Sequence, residues 1–391
     1  MKQRYQSLDI FRGATVCLMI LVNNPGSWQY IYSPLKHADW HGLTPTDLVF
    51  PFFLFAVGNA MAFVIPRLKE KGTAFFWRKI IKRTLIIFGI GLFLNWYPFV
   101  RITDGHFEWI HWVNPENPEK GVRIMGVLQR IALCYFFASI MVYFLKPKVA
   151  WLVSILMLLS YWVICIIGNP ADPFSMEGWY GNIIDKAVLS IAHMYKGEGV
   201  PFEPEGLLST IPAIVQVVFG YFVGLYIINN GGKLSQDNTE NPAIYKMLTG
   251  LFVAGVGFLL IGYCWNLVFP VNKKIWSSSY VVVVNGLAII TIATMIYMVE
   301  VKRSKGFMSR FFEVFGKNPL FIFALSAFLP KTARLVTNAD GVNPWNWLYK
   351  KVLVHTPGVP ENGSLLYAIC VIIFMWAICY WLDKKKIYIK V

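Results

Sequence analysis

The chain has 391 residues, of which 56% are apolar and only 15% are charged. A soluble domain usually carries about 25% charged residues, so there is too little polar surface here to cover a water-soluble globule. The net charge is +15. Because the basic residues flank apolar runs, we attribute this charge to the cytoplasmic loops of a membrane protein rather than to nucleic-acid binding. The composition therefore predicts an integral membrane protein that binds no nucleic acid.

Apolar runs recur along the whole chain, which predicts an all-α helix bundle in the membrane. A spanning helix needs about 20 mainly apolar residues, and we predict ten such helices in a single domain over residues 1–391. A short segment near 345–354 carries two lysines, and we expect it at the membrane interface. The predicted spans are 8–24, 46–65, 80–97, 124–145, 149–168, 207–229, 244–265, 278–299, 311–329 and 363–382.

The distribution of Lys and Arg predicts the orientation of these spans. Most of them fall on the shorter loops of one side, including the run from Arg67 to Arg83 and the C-terminal Lys384, Lys385 and Lys386. By the positive-inside rule both termini are then cytoplasmic. We interpret the start of the chain as an uncleaved first span rather than a signal peptide, because Asp9 interrupts its apolar run and no small-residue cleavage site follows. All six histidines lie on the opposite side.

The loop after the first span is the first candidate site. It places Asn23, His37, His41 and Asp47 near one membrane face. Imidazole exchanges protons near neutral pH, and a nearby carboxylate can orient the ring and stabilise its cation. A structural interpretation stays open for Asp47, because Thr44 precedes it by three residues in a helix-start pattern. The histidines could equally be polar residues of the membrane interface.

Charged residues inside predicted spans are the second candidate. Asp9 and Arg12 lie three residues apart, so they share a helix face and can pair. Arg123 and Gln129 lie near the start of the fourth span, and Arg130 lies about two turns inside it. An ionisable residue within the membrane suggests a functional site. The alternative is a structural acidic partner elsewhere in the bundle.

Further polar residues occur where spans begin or are interrupted. Glu203 and Glu205 precede the sixth span, where they could also cap a helix N-terminus. Trp162 lies late in the fifth span and could line a cavity or pack against lipid. Single Ser and Asn residues in spans usually pack helices together through hydrogen bonds. Residues of this kind are Asn272, Ser277, Ser279 and Asn318.

Several kinds of site are not indicated by the sequence. The six cysteines all fall in apolar segments, and their spacing suits neither zinc nor a secreted disulfide framework. No phosphate-binding loop, dinucleotide fingerprint, zinc-protease motif or nucleophile elbow occurs. We therefore predict no metal, and a small-molecule donor would have to bind within the helix bundle.

The chain resembles the heparan-alpha-glucosaminide N-acetyltransferase family and its bacterial relatives. The resemblance rests on motifs that occur in the family's order from residue 7 to the end, with the stretch around HADWHGLTPTDLVFP as the most specific. The others are SLDIFRG, RIMGVLQR, EPEGLLSTIPA, VNKKIWSSSYV and the C-terminal KKKIYIKV.

This resemblance implies a transfer of acetyl from cytosolic acetyl-CoA across the membrane to the amino group of a terminal glucosamine, as on heparan sulfate. It implies that His37 is the active histidine, with Asn23 and Asp47 as its catalytic companions. We assign acceptor binding to Trp40, His41, Arg123, Gln129, Arg130 and Glu205. We assign acetyl-CoA binding to Arg12, Trp162, Ser277, Ser279 and Asn318.

Two departures from the family pattern leave the acceptor open. His41 stands where the animal enzyme has a small amide, and LSAFL (residues 325–329) replaces a stretch that carries a histidine in the animal enzyme. A smaller amino sugar is therefore a candidate acceptor. We expect the protein in a bacterial inner membrane, with His37 facing outward.

Other functions are compatible with the same residues. The protein could be an amino-sugar transporter whose loop histidine couples transport to protons, or an O-acetyltransferase of envelope glycans. His37 could act as a general base or carry the acetyl group covalently. The acceptor is expected to be a small molecule or glycan with a free amine, and a homodimer is one of the oligomeric states left open.

Overall fold

The computed structural model describes residues 5–103, 106–232, 241–304, 306–338 and 341–389. Within these residues it has thirteen α-helices and two small antiparallel β-hairpins. The helices are α1 Gln6–Asn23, α2 Val49–Lys71, α3 Thr73–Trp96, α4 Val127–Phe144, α5 Pro147–Gly168, α6 Tyr180–Leu189, α7 Leu207–Asn230, α8 Pro242–Asn266, α9 Ser278–Ile296, α10 Phe307–Lys317, α11 Pro319–Ala333, α12 Trp347–Lys351 and α13 Pro360–Lys384. The strands are β1 Val100–Thr103, β2 His106–Trp109, β3 Val113–Asn114 and β4 Asn117–Gly121.

The prediction of an all-α polytopic membrane protein is confirmed. In the described part of the chain, eight helical segments are long and apolar enough to cross a bilayer. They comprise α2, α4, α5, α7, α8, α9, α11 and α13, some with a turn added at one end. The two other predicted spans, α1 and α3, form long helices that carry charged residues. The count of ten spans and the orientation in the membrane stay predictions.

The predicted ninth span, 311–329, is wrong as a single helix. The structure divides it into α10 and α11 at Asn318, whose backbone (φ −131°, ψ 48°) is not helical. Pro319 explains the break, because a proline disfavours the helical conformation of the residue before it. The apolar segment that remains starts at Pro319 and extends to Val336.

Two helices run through the middle of the bundle with unusually close backbones. α2 and α7 are each 67% buried along their apolar segments, against 28% for α5 and α8. A Cβ atom at Gly58 would lie 2.0 Å from the Val217 carbonyl oxygen, and one at Gly220 would lie 2.2 Å from that of Phe55. Glycine at both positions permits this crossing, as small residues do between membrane helices.

The helices connect two faces of the bundle. We call the end where α1 begins and α2 turns into α3 the N-terminal face, and the opposite end the loop face. At the loop face the connections bind one another through backbone hydrogen bonds, such as Gly42 N–H to the Val271 carbonyl (2.8 Å) and Ile124 N–H to the His193 carbonyl (3.1 Å). Segments distant in sequence are thus assembled at this face.

Candidate functional site

The loop after α1 brings His37 and Asp47 into contact. Pro45–Leu48 form a short 3-10 helix before α2, and the Thr44 N–H and hydroxyl both donate to Asp47 Oδ2 at 3.0 Å. The Ala38 N–H donates to the same oxygen (3.1 Å), while Asp47 Oδ1 lies 2.6 Å from His37 Nδ1. The capping and the orienting roles of this carboxylate are therefore compatible, because its two oxygens serve different partners.

The His37 ring opens onto a pocket of about 220 Å³ at the loop face. Its side chain is 47% exposed, whereas the Asp47 side chain is 1% exposed. Such a pair combines a buried, acceptor-only carboxylate with an accessible imidazole, which is the arrangement that general acid–base chemistry needs. The other predicted residues that line the pocket are Asn23, Trp40, Arg123 and Glu205. The pocket residues that the sequence did not single out include Tyr195, Glu198, Lys273 and Lys274.

Lys273, in the connection between α8 and α9, reaches the His37 ring. Its Nζ lies 3.1 Å from Nδ1 and 3.2 Å from Nε2 of that ring, and 3.9 Å from Asp47 Oδ1. Burial lowers the pKa of Lys273, although the carboxylates of Asp47 and Glu205 oppose this effect. An amine with a depressed pKa thus adjoins the candidate catalytic pair.

A largely buried ion cluster contributes Arg123 and Glu205 to the lining of the pocket. Arg123 binds Glu203 with two nitrogens, one of them at 2.9 Å, and Glu205 at 2.6 Å. Burial alone would lower the pKa of Arg123, but the two carboxylates raise it above its ordinary value. Burial raises the pKa of Glu203, whereas for Glu205 the cations Arg123, Arg130 and Lys273 outweigh burial and lower it. Glu205 is the carboxylate of this cluster that lines the pocket.

Arg130 lies behind this cluster and does not line the pocket. It is fully buried and donates to the Gly206 carbonyl (2.9 Å) and to the Ser209 hydroxyl, and its guanidinium lies 5.1 Å from the Trp276 ring centre. It thereby links α4 to the start of α7. Since the side chain is enclosed by protein, its assignment to acceptor binding stays a prediction.

Asp185, on α6, is a buried acid that the sequence did not point to. Its Oδ1 accepts a hydrogen bond from the Leu207 N–H (2.7 Å) at the first residue of α7. Burial raises the pKa of this carboxyl from 3.8 to about 7, against the lowering effects of the Leu207 hydrogen bond and of Arg130. No spacing in the sequence relates α6 to α7, so this cap is visible only in the fold.

The remaining predicted acceptor residues lie outside the pocket. His41 Nδ1 lies 3.3 Å from Asn272 Nδ2, and partial burial lowers the pKa of the His41 ring. Gln129 is buried at the start of α4, where its side-chain oxygen packs closely against Gly91 of α3. Both positions are close to the site in the chain but not among the residues that surround His37.

Of the predicted donor residues, Arg12 lines a large cavity. This cavity, about 750 Å³, lies at the N-terminal face and is also lined by Arg67 and Lys317. Arg12 is held by Asp9 Oδ1 (2.6 Å) and by the Gly316 carbonyl (2.7 Å). The expected pairing of Asp9 and Arg12 is thus observed, and the guanidinium reaches the cavity as well.

The other predicted donor residues have structural contacts instead. Ser277 caps α9 by accepting from Tyr280 N–H and lies 3.1 Å from the Ser279 hydroxyl. Trp162 packs against other aromatic rings of the loop-face side. Asn318 binds the C-terminal segment through the Ile387 carbonyl (3.1 Å) and the Ile389 N–H (2.8 Å). These contacts account for the polar atoms of Ser277, Ser279 and Asn318, whereas the buried Trp162 Nε1–H has no hydrogen-bond partner among the described residues. The rings packed with Trp162 are Trp265 and Phe269.

The titratable groups of the pocket are suited to proton transfer. They are an imidazole, carboxylates and cations around a small cavity, and such groups can move protons and stabilise developing charge, as group transfer requires. Among the described residues, no three His, Cys, Asp or Glu side chains are grouped closely enough to hold a metal ion.

A helical membrane bundle with an accessible His–Asp pair at one end defines a polytopic membrane protein with a candidate acid–base centre. Residues 4–261 match the family model described as heparan-alpha-glucosaminide N-acetyltransferase, catalytic. This match covers more than half of the chain, and the chain belongs to that family. The resemblance inferred from the sequence motifs is thereby confirmed.

Two curated relatives are similar over almost the whole chain. The human heparan-alpha-glucosaminide N-acetyltransferase is 26% identical over 438 aligned positions, and the mouse protein of the same name is 25% identical over 439. Each alignment covers 99% of this chain but 60% of the relative. The chain thus spans about 60% of the length of the relatives it matches.

Proposed function

We propose that this protein is a transmembrane acetyltransferase of a bacterial inner membrane. It takes acetyl from acetyl-CoA at the cytoplasmic, N-terminal face and transfers it to the amine of a glucosamine-type sugar at the outward loop face. The observation that carries the proposal is the His37–Asp47 contact at the edge of a polar pocket. Membership of an acetyltransferase family supports the reaction type.

Cavities along α2 provide a route for the donor. The 750 Å³ cavity at the N-terminal face shares Arg12, Ala56, Ala60 and Val64 with a second cavity of about 110 Å³ deeper in the bundle. This second cavity extends along α2 to Phe53, and the His37 pocket begins one turn further, at Phe50.

The polarity of this route matches the two ends of acetyl-CoA. The wide cavity carries Arg12, Arg67 and Lys317, which suit phosphate groups. The deeper cavity is lined mainly by apolar side chains, which suit the pantetheine arm. Along α2, from Arg67 to Phe50, the route covers about 25 Å, which is most of the thickness of a bilayer core. The thioester could therefore approach His37 while the phosphates remain at the opposite face.

His37 is suited to take the proton of the acceptor amine. A carboxylate only accepts hydrogen bonds, so the contact with Asp47 places the ring proton on Nδ1 and leaves Nε2 basic. The amine attacks the thioester carbonyl carbon, Nε2 takes a proton from the amine, and the C–S bond breaks as the thiolate of CoA leaves. The proton then passes from His37 to the thiolate, so the products are an amide and free CoA thiol.

The pocket favours a single amino sugar. Its volume of about 220 Å³ is below the range of about 300–1,000 Å³ of drug-sized sites, which suits one sugar ring. Glu205 and Glu198 line it and can attract the ammonium form of the acceptor before the proton is removed. A monosaccharide and the terminal residue of a glycan both satisfy these conditions.

The proposal is tested by measuring release of CoA thiol from acetyl-CoA by the purified protein, with and without glucosamine. We expect release that depends on glucosamine and is matched by N-acetylglucosamine. The His37→Ala variant should lose activity by about 100-fold or more, since that is the usual contribution of a general base. His41→Ala, a histidine of the same loop outside the pocket, is the matched control and should have a milder effect.

Three outcomes would contradict parts of this proposal. Activity of His37→Ala above about a tenth of the wild-type rate would remove His37 from the chemistry. Products acetylated on oxygen would favour the O-acetyltransferase. Uptake of glucosamine into vesicles without any acetylation would favour the transporter.

A further inference from the structure

The connection between α8 and α9 holds Lys273 in a fixed place. Asn272 is fully buried, its N–H donates to Ser277 Oγ (3.0 Å), and its side-chain oxygen accepts from the Ile275 N–H (3.1 Å). The neighbouring Val271 carbonyl accepts from Gly42 N–H in the histidine loop. The backbone on both sides of Lys273 is therefore held by hydrogen bonds, one of which joins this connection to the loop that carries His37.

The ammonium group of Lys273 lies next to the reacting nitrogen. Its Nζ is 3.2 Å from His37 Nε2, and the side chain is only 20% exposed. An amine that loses its proton to Nε2 must lie within hydrogen-bond reach of that nitrogen. The carbonyl carbon under attack is one bond further away, so its oxygen can be placed within hydrogen-bond reach of Lys273.

Charge develops on that oxygen in the transition state. Asn23, which the family resemblance makes a catalytic companion of His37, is an exposed neutral amide at the end of α1. A cation forms a stronger hydrogen bond to an oxyanion than a neutral amide does, and a water-poor site strengthens it further. Lys273 is the cation of this pocket that contacts the His37 ring.

We infer that Lys273 is a further catalytic residue, which donates a hydrogen bond to the oxyanion of the tetrahedral intermediate. The inference rests on the proposed acetyl transfer and adds the group that stabilises its transition state. It also assigns the protonated form of Lys273 to the active enzyme. The charged or titratable groups that face this lysine are His37, Asp47, Glu198, Glu205 and Lys274.

Two substitutions of Lys273 separate charge from shape. Lys273→Met keeps the length of the side chain and removes the charge, so kcat should fall by about 100-fold, the effect of losing one oxyanion donor. The KM for acetyl-CoA should change by less than about twofold, because the effect is confined to the transition state. Lys273→Arg keeps the cation and should recover part of kcat. Lys186→Met, an exposed lysine of α6 at the same face, is the control and should match wild type.

The pH profile of kcat gives a readout that a structural role would not change. Since burial lowers the pKa of Lys273 from its ordinary 10.5, kcat of the wild type should fall at alkaline pH as the ammonium loses its proton. In Lys273→Arg this alkaline fall should disappear, because a guanidinium keeps its charge. The arginine variant also tests the inference if Lys273→Met does not fold.

The results distinguish this inference from the proposed function. If Lys273→Met keeps more than about a tenth of wild-type kcat while His37→Ala is inactive, Lys273 is not catalytic and the acetyltransferase proposal stands. An alkaline fall of kcat that is unchanged in Lys273→Arg would also overturn the inference. If the wild-type protein transfers no acetyl group to any amine, both the role of Lys273 and the proposed function are refuted.

Discussion

At the residue scale, the candidate site depends on carboxylates whose two oxygens have different partners. Asp47 caps the 3-10 helix that leads into α2 with Oδ2 and contacts His37 with Oδ1. This explains why the helix-start pattern in the sequence did not exclude a catalytic role. The cap requires only that Asp47 follow Thr44 by three residues. Orienting the imidazole also requires that the loop fold so that His37 reaches the Asp47 carboxylate.

Asp185 should make the stability of the protein depend on pH. Its pKa is about 7 in the folded protein against an ordinary value of 3.8, so the folded state binds a proton more tightly than the unfolded state does. Stability contributed by the protonated carboxyl is complete below the ordinary pKa and is lost as the pH rises through the folded pKa. We expect the Tm of the purified protein to fall by about 5 °C between about pH 5 and pH 8.

The Asp185→Asn variant tests this origin. An asparagine keeps the oxygen that accepts from Leu207 N–H but has no charge, so the dependence of Tm on pH should become clearly weaker. Asp39→Asn, at an exposed acid of the histidine loop, should retain the wild-type slope. An Asp185→Asn slope equal to that of wild type would show that other groups cause the pH dependence.

At the element scale, the beginning of α7 joins three parts of the protein. Asp185 of α6 caps its first N–H, and Arg130 of α4 binds the preceding Gly206 carbonyl. The Glu203 and Glu205 carboxylates lie in the segment just before it and bind Arg123. The pocket wall and the central helix pair α2–α7 are therefore coupled through this helix end.

Arg130→Leu should destabilise this junction. Hydrogen bonds to a buried charged group each contribute about 1.5–3 kcal/mol, and the substitution also removes a cation from beside several acids. We expect Tm to fall by about 5 °C or more and acetyl transfer to fall with it. Tryptophan fluorescence during heating measures Tm, and release of CoA thiol measures acetyl transfer.

Two further variants serve as controls for Arg130→Leu. Arg130→Lys keeps the charge and should be intermediate. Phe137→Leu, at an exposed position of the same helix, should leave Tm close to wild type. A fully stable and active Arg130→Leu protein would mean that the start of α7 needs no cation, and the coupling described above would be refuted.

At the scale of the whole molecule, the proposal requires that His37 and the cavity at the N-terminal face lie on opposite sides of the membrane. Ser33 is an exposed residue of the His37 loop, and Thr73 is exposed at the turn between α2 and α3. In intact cells, Ser33→Cys should react with a membrane-impermeant maleimide, because the positive-inside rule places this loop outside. Thr73→Cys should react only after the membrane is permeabilised.

The unsubstituted protein controls for the six natural cysteines, which lie in helices and form no disulfides. Labelling of Thr73→Cys but not of Ser33→Cys in intact cells would invert the orientation. Equal labelling of both without permeabilisation would place the two sites on one side. Either result would refute transfer from a cytoplasmic donor to an outward acceptor.

Local patterns in the amino-acid sequence were sufficient to predict the class of protein, most of the helices and the pairing of His37 with Asp47 in the candidate site. Hydropathy is a local property of about 20 consecutive residues, so it located the apolar helices. The one span that was predicted wrongly is divided before Pro319, and this proline is visible in the sequence. The motif around His37 and Asp47 lies within one loop and one helix start, which is why the contact between them could be anticipated.

The partners that join this pair from distant parts of the chain were set by helix packing. Lys273 meets His37, and Asp185 meets the start of α7, because helices far apart in the chain pack side by side. Because of the same packing, Arg130 does not line the pocket, and Ser277 and Asn318 form hydrogen bonds with other parts of the protein. Helix packing depends on the shapes of whole faces, such as the glycine contacts between α2 and α7. Small residues in the sequence permit a close contact, but which faces meet is decided only when the helices assemble.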